Sequence, residues 1–172
     1  MPMYLYLGDI TRMETDAIVN AAGTDLRRCP GICDAIFAAA DTEKLERACR
    51  KLGRCRIGQA VATPGCGLPC RYIIHVAGPG WYGGEPRERF LLAGCYQNAL
   101  HKAYLCSCRR VAVPLIFSGD CHMPRAASLR AAGAAIADFC QRHPSMEVTL
   151  VLYRQSIYDM AKRILGWEDA PS

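Results

Sequence analysis

The sequence is short of aromatic residues, of long apolar stretches and of cysteine pairs with zinc-ribbon spacing. Phe, Trp and Tyr make up 8% of the 172 residues, too few to indicate a surface that stacks on nucleic-acid bases. No apolar run approaches the roughly 20 residues that span a bilayer. The first residues lack the basic start and small-residue cleavage site of a secretory signal. We therefore expect no membrane association, no nucleic-acid partner and a cytoplasmic location.

What is present is the composition of an ordinary folded domain. The chain is 51% hydrophobic and 22% charged, which argues against extensive disorder. Its length is that of a typical single domain, so we expect one domain over residues 1–172. The formal net charge of +5 suits an anionic ligand. The oligomeric state is left open.

Eleven cysteines are many for a chain of this length. A secreted disulfide scaffold is normally shorter, so we interpret them as reduced thiols, most of them buried as small apolar side chains. Three pairs lie close in sequence, but none has the CxxC spacing of a zinc ribbon: Cys29/Cys33, Cys66/Cys70 and Cys106/Cys108. We expect no metal and no cofactor.

Strand-like and helical patterns alternate along the chain. The apolar runs that predict strands are Met3–Leu7, Ala17–Asn20, Ala60–Thr63, Tyr72–Val76, Arg110–Val113 and Val148–Leu152. The segments that predict helices are Ile32–Ala40, Thr42–Lys51 with Thr42 as cap, Glu85–Cys106, Pro124–Arg142 and a last helix carrying Ile157 to Ile164. This alternation predicts an α/β fold: a three-layer α/β/α sandwich with a mixed, largely parallel central sheet.

Ligands of such sheets bind outside the carboxyl ends of the strands. The segments predicted to leave those ends are rich in Gly, Pro and small polar residues, and two of them, residues 20–32 and 114–124, run directly into helix starts. A helix start offers unpaired N–H groups and a partial positive charge, and two together would suit a diphosphate. The alternative is that these segments are only tight turns.

Several motifs stand at these loops in a fixed order. They are Gly8-Asp9-Ile10-Thr11, the run from Asp16 to Ala22, Gly31-Ile32, Thr63-Pro64-Gly65, Tyr72 to His75 and Gly78-Pro79-Gly80-Trp81. Each motif alone is weak, but the ordered set resembles the macrodomain family over almost the whole chain. The resemblance implies an α/β/α fold that binds ADP-ribose or an ADP-ribosylated protein.

The resemblance also implies a role for each matching residue. Asp9 would accept a hydrogen bond from the exocyclic amine of adenine, with a backbone contact from Ile10, although Asp9 could instead cap a turn. Gly31 and Ile32 would give backbone donors to one phosphate, and Asn20 would brace its loop. The second loop would hold the diphosphate through Ser118, Gly119, Asp120, Cys121 and His122.

The chain departs from the hydrolytic members of that family where the chemistry would occur. Gly23 stands in place of an Asn, and Cys33 in place of an acidic residue. Asp34 follows one position later and would replace the missing carboxylate only if the loop is shifted by one residue. Cys33 would be a nucleophile at a helix start; its alternative is a small residue packed in the core.

Three functions remain open at this point. The first is an ADP-ribose-binding module in which catalysis is weak or absent. The second is a hydrolase that removes ADP-ribose from proteins or deacylates O-acetyl-ADP-ribose. The third is a degenerate macrodomain that serves a protein contact, for which five basic residues offer a surface: Arg47, Arg50, Lys51, Arg54 and Arg56.

Overall fold

The computed structural model describes residues 2–79, 85–116 and 123–171. Its strands are β1 (Met3–Leu7), β2 (Ala17–Ala22), β3 (Ala60–Pro64), β4 (Tyr72–Ala77), β5 (Arg110–Pro114), β6 (Glu147–Leu152) and β7 (Glu168–Asp169). They form one sheet in the order β3-β4-β2-β5-β6-β1-β7. Neighbouring strands are parallel except β3 and β4, so the sheet is mixed and largely parallel, as predicted.

Helices pack on both faces of this sheet. In the described ranges they are α1 (Ile32–Ala39), α2 (Thr42–Leu52), α3 (Pro86–Leu105), α4 (Arg125–Arg142) and α5 (Gln155–Leu165). One cluster of buried apolar side chains joins the sheet to α3, α4 and α5, and a second joins it to α1 and α2. The predicted α/β/α sandwich is therefore confirmed.

The sequence signals for α2 illustrate how local chemistry sets an element. The helix places Leu45 and Cys49 in the core and leaves charged residues outside. Its cap is Asp41 rather than the predicted Thr42, because the Asp41 carboxylate accepts the Lys44 N–H at 3.2 Å. Gly53 ends the helix, as predicted, with a φ of 81° that suits glycine.

The packing of α4 against α5 depends on a small residue. A Cβ on Gly133 would collide with the side chain of Leu165, so glycine allows the two helices to approach closely.

No helix in the described part of the chain is long and apolar enough to cross a membrane.

The parallel strands β1, β2, β4, β5 and β6 end at one edge of the sheet, which we call the carboxyl edge. The antiparallel β3 begins there. Segments leaving this edge can meet a common ligand, and those described in full are residues 8–9 after β1, 23–31 after β2 and 153–154 after β6.

Candidate functional site at the carboxyl edge

Asp9 directly follows β1 and has one carboxylate oxygen already bonded. Its Oδ1 accepts the Thr11 backbone N–H at 2.9 Å and the Thr11 hydroxyl at 2.7 Å, so Asp9 caps the short 3-10 helix Ile10–Arg12. Among the described residues, its Oδ2 has no hydrogen-bond partner and remains an acceptor. Ile10 is buried beneath, so only its backbone can contact a ligand.

An exposed aromatic ring stands on the neighbouring strand end. The parallel register pairs Leu7 with Leu152, and the Gly8 N–H donates to the Leu152 carbonyl at 2.9 Å. Tyr153 therefore follows β6 beside the turn that carries Asp9, and it is 80% exposed. Sequence reasoning missed this residue; the available signal was an aromatic immediately after an apolar strand. A ring for stacking and an acceptor for an amine together suit adenine.

The loop after β2 opens onto solvent where α1 begins. Gly31 has a φ of 91° and the space around its Cα is open. Gly31 lines a depression of about 490 Å³ together with Asp34 and residues 28–30. Because the first N–H groups of a helix have no acceptor inside it, the start of α1 presents donors at this depression. Ile32 is half-buried at the first helical position.

Cys33 does not face the depression. Its side chain is 1% exposed; the thiol donates to the Arg27 carbonyl (Sγ to O, 3.8 Å), and its sulfur accepts from Asn20 Nδ2 at 3.7 Å. A nucleophile must reach its substrate, and this thiol points into the core. Cys33 is therefore placed as the alternative expects, as a small residue packed in the core.

Asp34 faces solvent and already has a partner. Its Oδ1 lies 2.6 Å from Arg28 Nε, and both side chains are well exposed. The structure therefore brings Asp34 to the rim of the depression that Gly31 lines, but ties its carboxylate to a cation. Asp34 and Cys33 point in different directions and do not form a pair.

Asn20 lies at the centre of a buried polar chain that sequence reasoning did not identify. It pairs with His75 across β2 and β4, and its Nδ2 lies 3.0 Å from His75 Nδ1. His75 Nε2 lies 2.9 Å from the Thr63 hydroxyl. Burial lowers the pKa of His75 to about 4, so the ring is neutral at pH 7. Since Nδ1 accepts from an amide, Nε2 carries the proton and donates to Thr63.

This chain of hydrogen bonds fixes the end of β2 and the start of α1. Asn20 is completely buried and bonds to Cys33 as well as to His75. Its Oδ1 has no partner within the described residues. That geometry suits bracing of the loop, the role expected for Asn20, more than direct ligand contact.

A family model described as Macro domain matches residues 19–132. The chain belongs to the Macro domain family.

Individual relatives support the assignment along the full length. The macro domain is 38% identical over 168 residues to an O-acetyl-ADP-ribose deacetylase of Escherichia fergusonii, covering 95% of this chain and 94% of that protein. It superposes on an Oceanobacillus iheyensis macrodomain with ADP at a TM-score of 0.88 and 31% identity, covering 94% and 88% of the two chains. It also superposes on a Trypanosoma brucei macrodomain in complex with ADP-ribose, at a TM-score of 0.86 and 26% identity, covering 96% of this chain and 69% of that one.

The second predicted loop of this macro domain, with Ser118, Gly119, Asp120, Cys121 and His122, lies outside the described residues. The end of β5 that leads to it is firmly held. The Tyr96 hydroxyl, which is fully buried, accepts the Ile116 N–H at 2.8 Å, and the Ser128 hydroxyl donates to the Ile116 carbonyl at 3.4 Å. Burial raises the pKa of Tyr96, so its hydroxyl stays protonated.

The cysteines of the described ranges are free thiols. Burial, with a smaller contribution from Cys33, raises the pKa of Cys29 to about 12, and burial raises the pKa of Cys95 to about 12. Such thiols stay protonated at pH 7 and are poor nucleophiles and ligands. No group of three metal-ligating side chains occurs in the part of the chain that the structure describes.

We predict that the macro domain purifies without bound metal. Elemental analysis after purification without chelator should find far less than one zinc per chain. A stoichiometric zinc signal that disappears on replacing Cys29, Cys33, Cys121 or His122 would contradict this prediction.

The buried His75 predicts a loss of stability in acid. The unfolded chain binds a proton near pH 6.5, whereas the native imidazole stays neutral until about pH 4. The contribution of His75 to the free energy of unfolding is therefore fully present above pH 6.5. The free energy of unfolding falls by about 2–3 kcal/mol as the pH drops toward 4. Urea unfolding at pH 7.5 and 4.5 measures this. His75→Gln should flatten the dependence, whereas replacing the exposed His101 by Gln should not; equal slopes in all three proteins would refute the assignment.

Proposed function

We propose that this macro domain binds ADP-ribose, free or attached to a protein, along the carboxyl edge of its sheet, with weak or absent catalysis. The observation that carries the proposal is that the Oδ2 of Asp9 has no hydrogen-bond partner among the described residues, at a strand end next to the one that carries the exposed ring of Tyr153. Thr11 holds one oxygen of Asp9, so the carboxylate is already ordered and its second oxygen can accept from a ligand with little further loss of side-chain freedom. An amine donor and a planar ring, the two features of adenine, match this pair.

The order of the strands supports a diphosphate in the middle of the site. Asp9 and Tyr153 follow β1 and β6, and the open start of α1 follows β2, with β5 between them. Strands lie about 4.8 Å apart, so β1 and β2 are separated by about 14 Å. An extended ADP-ribose spans that distance with its phosphates at the start of α1. The similar macrodomains solved with ADP and with ADP-ribose support a ligand of this chemical class.

Hydrolysis is the second candidate, and the E. fergusonii relative named a deacetylase favours it. Against it stand the direction of the Cys33 thiol and the ion pair of Asp34. A general base must lie within hydrogen-bond reach of the water that it activates, and neither group is placed for that task.

The ten free thiols of the described ranges also fit a reducing compartment, and we propose the cytoplasm.

Calorimetric titration with ADP-ribose tests the proposed function. We expect one site per chain, with AMP and ribose 5-phosphate each binding more weakly because each fills only part of the edge. Absence of binding by the folded protein would contradict the proposal and favour the protein-contact alternative.

Tyr153→Ala should weaken ADP-ribose binding about fivefold or more, because stacking of a base on an aromatic ring contributes roughly 1–3 kcal/mol. Tyr153→Phe keeps the ring and should bind as the wild type does. Tyr104→Ala removes another exposed ring and serves as the matched control. If the two alanine variants bind equally well in the same titration, the ring of Tyr153 does not contact adenine.

A further inference from the structure

Five exposed basic residues lie in and just beyond the second half of α2. We call this surface the basic rim, and it consists of Arg47, Arg50, Lys51, Arg54 and Arg56. All five side chains are exposed, and none is within ion-pair distance of a carboxylate in the described part of the chain. Two exposed apolar side chains, Leu52 and Ile57, lie among them.

The part of the basic rim beyond α2, with Arg54 and Arg56, is held against the carboxyl edge by backbone hydrogen bonds on either side of it. After Gly53 ends α2, the Cys55 N–H donates to the Thr24 carbonyl at 2.9 Å, in the loop that follows β2. Gly58 then donates to the Ala77 carbonyl at 2.7 Å, at the end of β4. Residues 54–58 therefore run along the edge from the end of β2 to the end of β4.

The strand order indicates which end of a bound ADP-ribose would lie near the basic rim. With adenine at β1 and β6 and phosphates at β2, as proposed above, the remaining ribose would fall on the side of β4, which lies next to β2 in the sheet. In an ADP-ribosylated protein, the polypeptide is attached at that end. The basic rim is thus on the side where the attached polypeptide leaves the site, about one or two strand spacings beyond the start of α1.

We propose that the basic rim binds an acidic segment of the polypeptide that carries the ADP-ribose. This rests on the proposed function, since it assumes that ADP-ribose occupies the edge in the stated direction. Five unpaired cations on an ordered backbone complement several Asp or Glu side chains, and such complementarity gives specificity. Leu52 and Ile57 offer apolar contact to the same segment. The rim has no exposed aromatic side chain on which a nucleic-acid base could stack.

The test compares two ADP-ribosylated peptides that differ only in their flanks, Asp and Glu in one and Asn and Gln in the other, with free ADP-ribose as reference. We expect the wild type to bind the acidic peptide about five- to tenfold more tightly than the neutral one, less so at high salt. Arg54→Glu with Arg56→Glu should remove this preference and leave affinity for free ADP-ribose within about twofold.

The matched control is Arg109→Glu with Arg163→Glu, which changes the net charge equally at exposed positions toward the opposite edge. It should keep the preference. Equal binding of both peptides by the wild type, or equal loss of the preference in both double variants, overturns the role of the basic rim while leaving ADP-ribose binding intact. Failure of the wild type to bind free ADP-ribose overturns the proposed function and this proposal with it. Tight binding of single-stranded DNA that only the rim variant loses would assign the rim to nucleic acid instead.

Discussion

Asp9→Asn is expected to weaken ADP-ribose binding about 10- to 100-fold with little change in thermal unfolding. Asn keeps an oxygen for Thr11 and is as good a cap as Asp, so the turn should persist. Its second polar group is an amide NH2, a donor, instead of the Oδ2 acceptor, and it would face the exocyclic amino group of adenine, which is also a donor. A hydrogen bond to a charged group contributes about 1.5–3 kcal/mol, which sets the expected loss of affinity.

Asp9→Ala is the less informative variant because it removes two functions. The alanine loses the adenine acceptor and also the two bonds to Thr11. Loss of a cap costs about 0.5–2 kcal/mol, so the melting temperature should fall by a few degrees. Calorimetric titration and thermal unfolding of both variants separate the effects. An Asn variant that binds ADP-ribose as the wild type does would show that Asp9 serves only as a cap.

The fold was largely predictable because its strands are continuous apolar runs. β7 escaped prediction since it has only two residues, Glu168 and Asp169, both exposed and paired with β1. The antiparallel direction of β3 could not be predicted either, because the composition of a strand does not indicate in which direction it pairs. Asp41 rather than Thr42 caps α2 because cap geometry depends on backbone angles that residue type alone does not determine.

The site was less predictable because it depends on register between strands. Asn20 and His75 are 55 positions apart and become neighbours only when β2 and β4 pair in one register. Tyr153 and Asp9 follow neighbouring strand ends only because β6 lies beside β1. The side-chain directions of Cys33 and Asp34 follow from how the first turn of α1 is wound. In contrast, Asp9 could be proposed from the sequence because its motif is local, and its contact with adenine stays a prediction.

Catalysis by this macro domain should be slower than that of the E. fergusonii deacetylase by about 10²-fold or more. General acid–base assistance typically contributes 10²–10⁴ in rate, and the resemblance to hydrolytic macrodomains implies an Asn and an acidic residue at the positions that Gly23 and Cys33 occupy here. Glycine has no side-chain hydrogen bond, and the thiol of Cys33 is directed toward Asn20 and the Arg27 carbonyl. Turnover of mono-ADP-ribosylated protein and of O-acetyl-ADP-ribose by the two proteins measures the difference.

Restoring the pair by Gly23→Asn with Cys33→Asp is expected to give little recovery. A Cβ at position 23 would lie 3.3 Å from the flexible end of Asp25, which can move. At position 33, however, a carboxylate in place of the buried thiol would face the Arg27 carbonyl, and burying an unpaired charge is costly. We therefore expect the double variant to be less stable than Gly23→Asn alone, as thermal unfolding will show.

The decisive comparison is between Asp34→Ala and Cys33→Ala in the same two turnover assays. Asp34 is exposed and bound to Arg28, and Cys33 is buried, so neither substitution should change the low residual rate by more than about twofold. Asp34→Ala should also leave ADP-ribose affinity nearly unchanged, since surface ion pairs contribute about 0–1 kcal/mol. Robust wild-type turnover that Asp34→Ala abolishes would instead mean that the loop shifts by one residue on binding and that this chain is a hydrolase. Loss of turnover in Cys33→Ala alone would require the thiol to turn out of the core and act as a nucleophile.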